Sequence, residues 1–422
     1  MLKEVYAPEM TAQVNDNVVA LKLFGEGNSD EWQGSAVKHP IVLERGQSFM
    51  AHGALGVFPD TQNETSVQVS IPVKWIRGRI LFSKEAMEVS RTSRGAWARA
   101  NQFAMTRLVA NLTDERNRMV NGTGTGILAL VDGAGSGTTA LTLDAPGGIA
   151  ADGYGSRYIQ PGMIIAITNG TTIYAVRQVS SITTETDSGA TITLSSAVSA
   201  ADAPDNAYIV RAANLGVTTG NLTRDTSYNN EPMGLDGIID DGTLVATFQG
   251  VSRSTYPLWG ATVISASAFS LSALQQLTDT INQVSGEPIT DFLCHHSVRR
   301  AYLSAIDTTR QFVQASKGPG QFDLGLEPQG MTVSYNGMPM HVDKDARLGS
   351  LKAINRNRLD RYVLIAGEWA EDVHGILRWT STDQDAFESI WRSAENLATD
   401  KCNAHGQLTG MTQVSAIRRH VA

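Results

Sequence analysis

The stretch from Ser83 to Gly122, SKEAMEVSRTSRGAWARANQFAMTRLVANLTDERNRMVNG, constrains this chain more than any other. It reads as the longest helix in the sequence. Ser83 is the expected N-cap, with Glu85 in the first turn, where the helix dipole favours an anion. Asn121-Gly122 is the stop, because glycine enters the left-handed conformation without penalty. Gly95, with Ser93 just before it, is the expected place for a kink. From Gly95 to Val120 no proline and no second glycine intervenes, so this piece alone spans about 40 Å. Trp97, Ala100, Ala104, Leu108 and Leu112 make one stripe at three- and four-residue spacing. Arg91, Arg94, Arg99, Arg107, Arg116 and Arg118 fill much of the remainder. A helix this long with one modest stripe packs across several neighbours, not inside one core. Its arginines read as a solvated or intersubunit face, with nucleic-acid phosphate as the functional alternative.

Composition narrows the class. In 422 residues, 42% are hydrophobic and 18% charged, which fits a folded globular chain and argues against disorder. The formal net charge of -8 argues against a general nucleic-acid binder, although a local basic face is compatible with it. The two cysteines, Cys294 and Cys402, are far apart and read as buried thiols in a reducing compartment. The N-terminus has no basic-then-apolar leader pattern, and no apolar run is long enough to cross a bilayer. A soluble protein made in the cytoplasm is the expectation.

Ahead of the helix, residues 1–40 are polar and irregular, as in an arm that orders on a partner. Val67, Val69, Ile71, Val73 and Trp75 then alternate with polar residues, a strand period. The segment Ile41 to Val57 is the expected partner strand, through the polar turn at Pro59 to Asn63. Pro72 favours an edge, and a ribbon of this kind is marginal alone in water, so it leans on something outside its own domain. After the helix, residues 122–216 turn rich in Gly, Thr, Ser and Ala. They carry short β-prone pieces at 140–143, 163–168, 172–179, 191–194 and 208–212. That pattern predicts a small all-β barrel or sandwich, inserted into a mixed chain. From about 217 the character is α/β. It comprises an amphipathic helix at 270–285 (Leu274, Leu277, Ile281 and Val284 on one face), a strand at 288–294, and a helix at 297–306. A hairpin turns about Asn336-Gly337, and strands follow at 359–366, 376–379 and 386–388.

Patterns that carry catalysis are missing. There is no G-x-S-x-G elbow, no H-E-x-x-H and no Gly-Lys pair closing a phosphate loop. The glycine-rich runs at 122–126 and 133–137 read as flexible turns. His295-His296 beside Cys294 is the one suggestive metal cluster, but adjacent residues on a strand point to opposite faces. The reading is of a non-enzyme with no cofactor and no metal.

An irregular arm, a β-ribbon, a long kinked helix and a mixed remainder, in that order, resemble the major capsid proteins of tailed bacteriophages of the Hong Kong 97 type. SKEAMEVS from Ser83 resembles the start of that family's spine helix, and ERNRMVNGTGTGIL from Glu115 resembles its end. MGLDGIID from Met233 is similar to the segment that re-enters the core. PITDFLCHHSVRRAYLSAID from Pro288 is similar to a strand preceding a helix in the central domain. MTVSYNGMPMHVDKDA from Met331 and NAHGQLTGMT from Asn403 resemble a ribbon and the final strand region. The resemblance covers most of the chain outside 122–216, and its specificity lies in the order of the parts.

It implies an α+β, Hong Kong 97-like capsid fold. The arm would be 1–40, an extended loop 41–82, the spine helix of a peripheral domain 83–121, and an inserted β-rich domain 122–216. The peripheral and axial α/β core would be 217–380, with C-terminal strands at 381–422. The implied function is self-assembly into the icosahedral head shell around phage DNA. Lys74, Trp75, Arg77, Arg79, Arg94 and Arg99 are the expected intersubunit contacts. Some relatives cross-link a lysine of the extended loop to a neighbour's asparagine; Lys74 lies in the corresponding ribbon and reads better as a surface lysine. The implied partners are further copies in pentamers and hexamers, scaffolding, portal and decoration proteins, and DNA on the inner face, with no membrane. The implied location is the virion, after synthesis in the host bacterial cytoplasm. Rival readings are an encapsulin-like nanocompartment shell, a hydrolase or carbohydrate-binding protein with a β-rich module, and a tail or decoration protein.

Overall fold

The structure, a computed structural model, describes residues 18–26, 32–33, 36–84, 94–149, 154–186, 189–307, 333–371, 378–379 and 386–411. The long helix is Arg94–Asn121, 28 residues and so about 42 Å. It ends where expected, the Gly122 amide reaching back to Met119 O at 3.0 Å. Ser83 closes the strand Lys74–Ser83 and Lys84 directly after it is helical, so Ser83 stands where the sequence reading put the helix start; residues 85–93, with Glu85 and Ser93, lie outside the described residues.

That strand accounts for a difference from the sequence reading. The ribbon pairs Ala36–Glu44 with Thr65–Pro72, register Ala36 to Pro72 through Glu44 to Thr65, with Trp32–Gln33 added at the side. Pairing thus begins earlier than Ile41 and stops at Glu44, leaving 45–64 without regular secondary structure. The reason is burial. Val37 and Ile71, cross-strand partners, pack on Tyr362 and Ala398 of the main sheet, so the base of the ribbon rests on its own core. Beyond Pro72 the chain leaves the ribbon. Lys74–Ser83 pairs antiparallel with 386–395 along its whole length. It joins a five-stranded sheet with Gly25–Glu26, Leu359–Trp369, Ala386–Thr399 and Arg378–Trp379.

The long helix lies on this sheet at Gly78. A Cβ there would come within 2.8 Å of Leu112 Cδ1 and 3.1 Å of Leu108 Cδ2, so glycine lets the helix approach. Leu108 and Leu112 of the expected stripe are thereby the contact.

Residues 127–211 form a closed six-stranded barrel. It is built from Ile127–Val131, Thr138–Asp144, Ile164–Thr168, Ile173–Thr186, Gly189–Val198 and Tyr208–Arg211. Alternation puts Leu128, Leu143, Ile165, Ile167, Ile192 and Ile209 inside with essentially no exposure. Closure removes the open edges that such short strands would otherwise present.

A six-stranded mixed sheet completes the α+β body, in the order Thr262–Ser265, Gly406–Thr409, Leu351–Ile354, Asp291–Cys294, Met338–Val342, Val333–Tyr335. Helix Leu271–Ser285 begins with Ser270 Oγ accepting from the Ala273 amide and ends at Gly286 in the left-handed region. Leu274, Leu277 and Ile281 pack on Phe292, Leu351 and Leu408. Val284, expected on the same face, is exposed, because the buried stripe ends one turn earlier. The turn Asn336-Gly337 has both φ values positive, 49° and 81°, as a two-residue hairpin requires.

Candidate assembly surfaces

Among the described residues, two surfaces leave large side chains exposed. The first is the strand Lys74–Ser83. Alternate residues Trp75, Arg77, Arg79 and Leu81 are exposed. Arg77 stacks over Trp75 at 5.3 Å, and Arg79 Nε pairs with Glu388 at 2.6 Å. Three expected contact residues are therefore brought to one sheet face. Lys74 is not among them. It is half-buried, its Nζ donates to Asn229 O at 2.5 Å, and burial lowers its pKa, so it ties the strand inward. The side chains of Arg94 and Arg99 lie outside the described residues.

The second surface was missed by pattern reading: the loop at 45–64. Phe49 and Met50 are exposed, and Leu55, Val57 and Phe58 stand at 105%, 87% and 82% exposure. Scattered exposed apolar residues are ordinary, but five large ones within ten positions are a patch that marks an interaction site. The signal was in the sequence, as large apolar residues set among Gly, His and Pro with no period. Arg45 lies over Phe49 at 5.6 Å, and His52 meets Phe58 edge-on at 5.7 Å, but neither covers the patch.

The far end of the long helix is the reverse case. Arg116 and Arg118, read from sequence as part of a solvated face, are buried. Arg116 makes a bidentate pair with Glu395 at 2.7 and 2.6 Å, joining the helix to the strand beside Lys74–Ser83. Arg118 bridges Glu115, at 2.7 Å, and Glu231. Burial raises the Glu231 pKa, whereas Glu115 is held low by Arg118 and Arg211 against its own burial. Asn117 Nδ2 donates to Asp343 at 3.0 Å and to Asp345 at 2.9 Å. Glu115 apart, three residues before Arg118, their acidic partners lie 113 to 279 residues away in the chain, which explains why local pattern suggested solvent.

His295 and His296 are not strand neighbours. The strand ends at Cys294 and the next helix starts at His296, with His295 Nδ1 3.0 Å from Ser297 Oγ. Cys294 and Cys402 are buried free thiols, pushed up to about 12 by burial. Among the described residues no group of three or more His, Cys, Asp or Glu is placed to hold a metal ion.

No protein-family model matches this sequence, and no curated protein matches it. Solved structures do. A chain of the cyanophage A-1(L) capsid asymmetric unit superposes with a TM-score of 0.53 at 12% identity, covering 98% of each chain. A chain from the capsid of a native GTA particle superposes with a TM-score of 0.50 at 9% identity, covering 97% of this chain and 96% of that one. The chain has the fold of these capsid proteins. At such identities the likeness is one of backbone course. Among the described residues, the two exposed surfaces, the apolar loop and the Trp75–Leu81 face, are on different elements.

Proposed function

We propose that this chain is a major capsid protein that self-assembles into an icosahedral head shell enclosing phage double-stranded DNA. The observation that carries the reading is the capsid fold matched over 98% of both chains. The exposed apolar loop supports it. Each large apolar side chain taken out of water is worth about 1.5–3 kcal/mol. In this reading 45–64 is the tip of the extended loop over a neighbouring copy, and Trp75, Arg77 and Arg79 belong to the receiving face. The long helix is the spine of the peripheral domain, the six-stranded sheet belongs to the axial domain, and the barrel is the inserted domain. The working quantity is interface area, repeated around pentamers and hexamers, not a catalytic group. Scaffolding, portal and decoration proteins, and DNA on the inner face, are the further partners. The site of action is the virion, after synthesis in the bacterial cytoplasm.

The test is size. The chain is expressed alone and with a scaffolding partner, run on size exclusion with light scattering, and the leading fraction is imaged by negative stain. Shells, or rings of five and six copies, are expected. A monomer under both conditions rejects the reading.

A further inference from the structure

We propose that the barrel at 127–211 is a docked body that swings away from the rest of the chain as a unit, on a two-strand stalk, when a polar clasp at Arg157 opens. The inference does not depend on the shell reading.

The barrel holds itself together. Its wall is closed, and its apolar interior is its own cluster, distinct among the described residues from the clusters under Trp259 and under helix Leu271–Ser285. The apolar contact at its base joins Ala166 and Val210 of the wall to Ala212 and Val217, which lie in the chain leaving the barrel.

The entering and leaving chains are zipped together. The Asn229 amide donates to Thr125 O at 2.7 Å, and the Ser227 amide donates to Arg211 O at 2.9 Å. Ser227 Oγ donates to Gly126 O at 2.9 Å and accepts from the Arg211 amide at 3.0 Å. The packing is so close that a Cβ on Gly126 would lie 2.0 Å from Ser227 O. The two strands therefore move as one stalk. Gly124, at φ +79°, lies just before the zipped portion, where a backbone pivot is least restricted.

Away from the stalk, polar contacts among the described residues hold the barrel down. Arg157 donates to Lys344 O, and to Ala346 O at 3.0 Å; Tyr158 Oη donates to Asp345 O at 3.2 Å. The Tyr158 ring lies between two guanidinium groups, Arg157 at 5.3 Å and Arg118 at 5.8 Å. The receiving turn is fixed from its other side by Asn117, and by the Ala20 amide donating to Asp343 Oδ2 at 2.9 Å. Opening exchanges these bonds for bonds to water, at a net cost of about 0.5–1.5 kcal/mol each, and uncovers the few apolar side chains at the junction, Ile149 and Leu348, while the barrel's own interior stays closed. Polar contacts between bodies that each own a core permit relative motion.

The test is native-state hydrogen exchange on the full chain, comparing wild type with Arg157→Ala and Arg157→Lys. Arg157→Ala should speed exchange of the Asp345 and Ala346 amides at least tenfold, while amides of Ile165, Ile167 and Ile192 keep their protection. Arg157→Lys should fall between. Unchanged exchange at Asp345 and Ala346 overturns the clasp, and barrel amides accelerating in step overturn the independent body. Should Arg157→Ala not fold, wild type in graded urea decides. Junction amides opening at lower urea than barrel amides support the proposal; one shared opening rejects it.

Discussion

The barrel and the loop at 45–64 dispose of their apolar side chains in opposite ways. The barrel turns Ile165, Ile167 and Ile192 inward and closes its edges. The loop leaves Leu55, Val57 and Phe58 in water, although the ribbon carrying it is well packed at Val37 and Ile71. One region buries its apolar side chains within a single chain, and the other leaves them exposed. The difference teaches where to look for each role. Substitutions in the barrel report on folding, and substitutions in the loop report on association.

The largest expected effect is therefore in the loop, and on assembly alone. Leu55→Ser with Phe58→Ser should weaken each intersubunit contact by about 3–6 kcal/mol, or two to four orders of magnitude, since each buried side chain contributes about 1.5–3 kcal/mol. Sedimentation of shells should be lost while the melting temperature of the unassembled chain stays put. A lowered melting temperature would show that the loop packs within its own chain, and the comparison would fail.

Next in size is the root beneath both regions, the Arg116–Glu395 pair, which fastens the long helix to the sheet that continues from the ribbon. Arg116→Ala leaves the buried Glu395 carboxylate with only Arg361, at 3.6 Å, and should cost about 3–5 kcal/mol. Arg116→Met with Glu395→Leu should cost less, because the one charge left over is that of Arg361, which is partly exposed. Urea denaturation midpoints at constant slope distinguish the two. Equal losses in single and double variants would mean that packing, not charge, is what the pair supplies.

Ile167→Ala should cost about 2–5 kcal/mol, through lost transfer energy and the cavity left behind. If the barrel is complete in itself, the loss stays inside it. Exchange should rise at Ile165 and Ile192 but not at Phe292 or Leu351. A loss shared by the six-stranded sheet would show one cooperative unit in place of two.

What the sequence disclosed, and what it did not, follows the same division. Features set by neighbours along the chain were legible: the amphipathic helix at 270–285, Asn336-Gly337 turning a hairpin, and the short β-prone pieces of the barrel. The strand Ala386–Thr399 was read as three residues because buried Ser389, Ser393, Glu395 and Asn396 break the apolar pattern. Glu395 and Asn396 are buried where distant partners meet them, as Arg116 meets Glu395 and Asn396 meets Pro72 O at 2.7 Å. The contact face was half legible for the same reason. Alternation set Trp75, Arg77 and Arg79 on one side, whereas the inward tie of Lys74 depends on Asn229, 155 positions away.

The smallest expected effect, acid titration, asks whether core and barrel respond separately. His405 is fully buried beside the six-stranded sheet, its Nδ1 accepting from the Asn355 amide at 3.2 Å and its Nε2 3.2 Å from Thr399 Oγ1. Burial lowers its pKa to about 3, so it is neutral when folded and protonates near its ordinary value of 6.5 when unfolded. The unfolded chain thus binds the extra proton between those values. Stability is fully present above 6.5 and declines as pH falls toward 3, by at most about 1.4 kcal/mol per pH unit for one proton. Glu287 adds a second, lower window. Hydrogen bonds from Arg358, and then Lys401, hold it at about 2, so its contribution is lost only as pH falls below its ordinary 4.5. Glu231, at the base of the barrel, has the opposite sign: its pKa is raised by burial, its contribution is lost as pH rises, and acid does not unseat it. Between pH 6.5 and 4.5 the His405 term should therefore act on the sheet and not on the barrel. Exchange at Leu351 and Leu408 should rise while exchange at Ile167 and Ile192 holds, and His405→Gln should flatten the change. Barrel amides loosening in parallel with the sheet over that window would mean that the two regions share one stability, and the contrast between them would reduce to the loop alone.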